Sequence, residues 1–67
     1  MICLALETTT DTASLALADE SGLLAEYNFR HHMDLSRRLM PDIQAVLSDC
    51  RLEMKQLGAV GVSLGPG

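Results

Sequence analysis

The chain has 67 residues and a net charge of −4 from five basic and nine acidic side chains, which excludes nucleic-acid binding driven by its own charge, since no basic block exists beyond Arg37-Arg38. This length allows one lean domain that buries about 60% of the surface its unfolded chain exposes, and at 3% aromatic content its core has to be aliphatic. Cys3 and Cys50 match neither a disulfide framework nor a zinc spacing, and no stretch approaches the ~18 apolar residues of a membrane span.

The first predicted element is a strand from about Ile2 to Leu6. Its nearly unbroken apolar run predicts a strand covered on both faces. Glu7-Thr8-Thr9-Thr10-Asp11 follows as a polar turn. A second strand runs from about Ala13 to Ala18, with Leu15 and Leu17 alternating with smaller residues. Asp19-Glu20-Ser21-Gly22 has the chemistry of a turn, with side chains for local hydrogen bonds and then a glycine for positive φ. The third strand takes Leu23 to about Arg30, which completes an antiparallel meander.

A helix is predicted from about Asp34, a suitable N-cap, to Cys50. Leu35, Leu39, Met40, Ile43, Val46, Leu47 and Cys50 share one arc of its surface. Pro41 falls inside it and should kink it or limit its first turn. After a single turn at Glu53–Leu57, Ala59–Leu64 reads as a fourth strand, reached by a crossover and therefore parallel to the first. The expected architecture is α/β, βββαβ, with sheet order 3-2-1-4 and the helix on one face. Its fourth strand would be an open apolar edge, so residues 1–67 read as an unfinished domain with no second domain in this chain.

Three groups of residues bear on chemistry. Glu7, Thr8, Thr9, Thr10 and Asp11 suit a phosphate held by backbone N–H and threonine hydroxyls, with a carboxylate toward Mg²⁺; spacing alone favours the plainer reading of a polar turn that bonds its own backbone. His31-His32 would point to opposite sides of an extended chain and are expected as a solvated pair rather than metal ligands. Gly65-Pro66-Gly67 resembles the start of a phosphate loop and equally a strand-ending turn. Both cysteines sit on apolar faces and are expected as buried free thiols. The serines have no histidine or lysine partner at a motif spacing, so no nucleophilic catalytic pattern is present.

The stretches LALETTTDTASLAL, SGLLAE, LSRRLMPDIQAVLSDC and LGAVGVSLGPG together resemble the N-terminal part of the TsaB (YeaZ) family. The match runs over essentially all 67 residues. It departs at Leu35, where family members often have histidine before the serine. The related TsaD proteins match less well. Their first turn agrees only partly with Glu7–Thr12, and Phe29–Leu35 leaves no room for their longer glycine-containing connector.

The resemblance implies an RNase H-like, ASKHA (actin-like ATPase) N-terminal lobe with sheet order 3-2-1-4-5. It implies a cytoplasmic, non-catalytic subunit that dimerises with a TsaD-like protein. With further subunits, the pair places threonylcarbamoyl on the adenosine next to the anticodon of tRNA. No cofactor is expected on this chain, ATP belonging to the partner, and tRNA is met only indirectly. The turn Glu7–Asp11 would then be a vestigial phosphate turn. The helix would meet a partner through Arg37, Met40, Gln44, Leu47 and Arg51, with self-association as a further pairing. The alternative within the superfamily is an ATP-binding enzyme, TsaD-like or a kinase, with Thr8 to Asp11 on the phosphates.

Overall fold

The computed structural model describes residues 1–31 and 35–65. Strands β1 (Ile2–Thr8), β2 (Thr12–Asp19) and β3 (Gly22–Arg30) are followed by helix α1 (Leu35–Asp49), a 3₁₀ turn at Met54–Gln56, and β4 (Leu57–Leu64). The sheet order is β3-β2-β1-β4. The first three strands pair antiparallel and β4 pairs parallel to β1, as the crossover requires. The meander, the helix and the sheet order expected from the sequence are all present.

Side-chain alternation decides which face is buried. Leu4, Leu6, Ala13, Leu15 and Leu17 meet Ile43, Val46 and Leu47 of α1 in a single aliphatic layer. The opposite face carries Cys3 and Ala5 of β1, Ser14, Ala16 and Ala18 of β2, and Ala59, Gly61 and Ser63 of β4, which the strand register lines up. No described element covers it. The expectation that β1 is buried on both faces is therefore corrected: its apolar run splits into large residues toward the helix and small ones away from it. Cys3 and Cys50 are free and only half-buried, another departure from the expected buried thiols.

The helix also differs from its wheel. Leu47 is 2% exposed and belongs to the core, whereas Met40 is 46% exposed. Pro41 lies inside α1 without ending it. The predicted N-cap Asp34 lies outside the described residues.

The C-terminus closes with paired bonds, Arg51 N–H to the Ser48 carbonyl at 3.0 Å and Leu52 N–H to the Leu47 carbonyl at 2.9 Å. This Schellman arrangement satisfies the last carbonyls and turns Leu52 back onto the core. It places Arg51 at φ 58°, a conformation in which a Cβ crowds the backbone.

Polar contacts tie α1 to the β3 side of the sheet. The Arg38 guanidinium lies 4.4 Å from the Phe29 ring centroid and donates to the Arg30 carbonyl at 2.9 Å. It also pairs with Asp42 at 3.4 Å. The Tyr27 hydroxyl donates to Asp49; this bond, then desolvation and the carboxylate's charge, raise the Tyr27 pKa. At the other end of β3, the Asp19 carboxylate accepts from Ser21 N–H and Oγ–H at 2.8 and 2.6 Å, and Gly22 takes φ 126°.

Helix α1 packs over β2 and β3, and β4 is exposed beyond Leu57. Val60, Val62 and Leu64 pair with Leu4, Leu6 and Thr8. They extend the helix-side face of the sheet beyond the helix and are exposed.

Two outcomes follow. Arg51→Gly relieves the left-handed strain and should stabilise the chain by about 1 kcal/mol, read as a higher urea midpoint. Because the folded pKa of Tyr27 lies above its unfolded value, the Asp49 bond contributes below pH ~10 and is lost as pH rises through the folded pKa. Tyr27→Phe should remove that part of the alkaline loss in a stability-versus-pH series.

Candidate functional site

In open α/β sheets, ligands gather beyond the carboxyl ends of parallel strands. Here β1 and β4 are the parallel pair, and both end at the same rim. Gly65, just after β4, donates its N–H to the Thr8 carbonyl at 2.6 Å. A Cβ at Gly65 would lie 3.0 Å from that carbonyl oxygen and 3.2 Å from Thr9 Cγ2. The structure thus seats the start of the glycine segment against the threonine turn, two features far apart in sequence. Pro66 and Gly67 of that segment lie outside the described residues.

The turn itself is shorter than its sequence suggests. Glu7 and Thr8 belong to β1, so only Thr9, Thr10 and Asp11 connect the strands. Successive strand residues point to opposite faces: Thr8 is buried on the helix side, while Glu7 shares the open face with its partners Ser14 and Ser63. The five residues expected to act as one phosphate turn are therefore divided among two faces and a rim.

The turn closes on its own groups. Thr9 N–H donates to the Thr12 carbonyl at 2.9 Å, the Thr9 and Thr12 hydroxyls lie 2.6 Å apart, and Thr12 N–H reaches Thr9 Oγ1 at 3.4 Å. This is the bonding of a self-satisfied polar turn.

His31 departs from the expected solvated pair. It is 5% exposed, its N–H bonds the Asp11 carbonyl at 2.8 Å, and its Nε2 lies 3.3 Å from the Thr9 carbonyl. The end of β3 is thereby fastened beneath the turn. His32 lies outside the described residues.

Beside the turn, on the open face, is a concavity of about 390 Å³ lined by Glu7, Thr9, Thr12, Ser14, Asn28 and Arg30 among others. No motif in the sequence marks Asn28 or Arg30. The signal for them is register: Ser14 pairs with both Glu7 and Asn28, and Thr12 with Arg30, which carries one polar row across three strands. One carboxylate, one guanidinium, an amide and hydroxyls give it both charge signs, on a lining that also includes Ala13 and Phe29 and is largely apolar in surface. Among the described residues, no group of three or more His, Cys, Asp or Glu side chains converges as metal ligands do.

A second surface lies on the outer side of α1. Arg37, Met40 and Gln44 recur at helical spacing and Arg51 follows at the helix end; all four are exposed. Leu47, expected among them, is in the core and is removed from this surface. No described helix is long and apolar enough to cross a membrane.

No protein-family model matches the chain. Over all 67 residues it is 34% identical to the tRNA threonylcarbamoyladenosine biosynthesis protein TsaB of Bacillus subtilis (strain 168), covering 29% of that protein. Its structure is similar to that of YeaZ from Pseudomonas aeruginosa, with a TM-score of 0.80 and 27% identity, over 98% of this chain and 30% of that one. The chain therefore spans less than a third of the length of these relatives.

The contact at the rim has a direct check. Gly65→Val places a branched side chain against the Thr8 carbonyl and Thr9, and overpacking of this kind costs about 1–3 kcal/mol. The expected result is a lower unfolding midpoint together with shifted amide resonances at Thr8 and Thr9.

Proposed function

The chain belongs to the TsaB (YeaZ) family, and we propose that it serves the formation of threonylcarbamoyladenosine in tRNA as a non-catalytic subunit. In this reading it forms part of an ASKHA N-terminal lobe that dimerises with a TsaD-like protein within a larger cytoplasmic complex.

The observation that carries the reading is the outer row of α1. A methionine stands 46% exposed beside Arg37, Gln44 and Arg51, at the margin of the helix face that Ile43, Val46 and Leu47 commit to the core. Methionine and arginine are enriched at protein interfaces, where an adaptable apolar side chain is rimmed by polar groups. The net charge of −4 supports tRNA being held by partners rather than by this chain.

The threonine turn supports the absence of catalysis and of a cofactor on this subunit. The Thr9 hydroxyl bonds that of Thr12, and Glu7 and Thr8 point to opposite faces of β1. ATP chemistry is then assigned to the partner.

The test mixes this chain with a TsaD-like protein and follows mass by light scattering. A one-to-one complex is expected. Met40→Asp should weaken it roughly tenfold or more, the loss typical of a central interface side chain, with an unchanged far-UV spectrum. Leu47→Asp should instead unfold the chain, because it buries a charge in the core. Undiminished binding by the Met40 variant would sink the helix interface. Calorimetric titration with Mg-ATP should give no heat; binding that is lost on Asp11→Ala would move the reading to an ATP-handling enzyme.

A further inference from the structure

We propose that the outer edge of β3 pairs antiparallel with the same edge of a second copy of this chain, in the register centred on Asn28. This goes beyond the partner reading above, since it uses a strand edge and leaves the outer row of α1 free.

Strand β3 stands at the margin of the sheet, with β2 on one side only. In an antiparallel ladder, residues alternate between bonding the neighbour and pointing their backbone groups away from it. His31 N–H bonds Asp11 of the β2 side. In the same register, Phe29 and Tyr27 bond β2, while Arg30, Asn28 and Glu26 turn their N–H and C=O outward. The hydrogen bond from Arg38 to the Arg30 carbonyl agrees with that phase. A carbonyl has two lone pairs, so Arg30 can still accept from a second strand. Among the described residues, no group bonds the outward backbone of Glu26 and Asn28, the arrangement that invites strand addition.

Charge selects the register. Pairings centred on Glu26, Tyr27 or Asn28 all set outward groups opposite one another. Centring on Glu26 puts two like carboxylates face to face, which is unfavourable. Centring on Tyr27 sets Glu26 against Asn28 and Arg30 against Leu24, so no charge finds its opposite.

Centring on Asn28 sets Glu26 of each copy against Arg30 of the other, twice by symmetry. The two Asn28 amides, each both donor and acceptor, then meet on the axis. On the helix side of the sheet, Tyr27 of each copy falls opposite Phe29 of the other, an aromatic pairing favourable across strands. One strand is thus complementary to itself under a two-fold axis, as an isologous contact requires. The opposite margin, β4, has no charged residue between Leu57 and Leu64 and offers no such selection.

The test is sedimentation velocity on the chain and its charge variants, with far-UV spectra to confirm that each is folded. The parent should form a concentration-dependent dimer. Glu26→Arg alone, or Arg30→Glu alone, sets like charges opposite at both symmetric positions. Each should weaken the dimer roughly tenfold or more. Mixed in equal amounts, the two variants regain opposite charges at both positions and should form a heterodimer as tight as the parent. A monomeric parent, single variants that associate as the parent does, or a mixture that stays monomeric would each overturn the proposal. Association through β4 or through α1 would be indifferent to these substitutions and so would count against it.

Discussion

The fold depends on one aliphatic layer, in which Leu15, Leu17 and Val46 are fully buried between the β1–β2 hairpin and α1. Everything described rests on that contact, because the sheet has no second described cover and few large rings to fill space. Tyr27 and Phe29 reinforce it at the β3 side, where both carry polar links to the helix. The helix is therefore placed over β2 and β3 by side chains from two layers of contact, apolar inside and polar at the margin. Beside β4 the same sheet face is exposed among the described residues.

Much of this was legible in the sequence. The alternation in β2, the turn before Gly22 and the crossover through a helix are local or topological signals, and each is present, although the turn shortens to Glu20-Ser21 because Asp19 and Gly22 join the strands and the β2–β3 register shifts beside Leu24. The boundaries that failed did so for tertiary reasons. Glu7 and Thr8 are polar, and polarity suggested a turn, but β1 continues through them because β2 and β4 both supply backbone partners there. Leu47 and Met40 lie close together on the helical wheel. Which of them is buried depends on how the helix rolls against the sheet, and Arg38 and Asp49 reaching β3 help set that roll. A wheel holds no information about either contact. His31 is the same kind of case: its burial comes from the end of β3 folding under the threonine turn, which nothing adjacent to it in sequence announces.

The rim at the ends of β1 and β4 shows how register, more than composition, decides which polar groups meet. Three consecutive threonines beside an aspartate read as a donor cluster. Once folded, the hydroxyl of Thr9 closes its own turn with Thr12, and the Thr8 carbonyl takes Gly65. The residues that line the adjacent hollow are instead an ordinary cross-strand row, brought together by register from three separate strands. Legibility of the site thus fell below that of the fold, because a site is a set of distances across elements while the fold is largely a set of periodicities along them.

The two margins of the sheet differ in how they are finished. Along β4 the side chains are small or apolar and uncharged, and the strand carries neither a charge nor a bulky ring that would fix a register. Along β3 the outward backbone is partly occupied by Arg38, and Glu26 and Arg30 bring opposite charges four residues apart. Charges at an edge usually oppose strand addition. Two opposite charges placed symmetrically about a neutral amide do the reverse for one partner, the strand itself run antiparallel, while they oppose every register that sets like signs together. The residues that would ordinarily protect this edge are therefore the ones that make it selective.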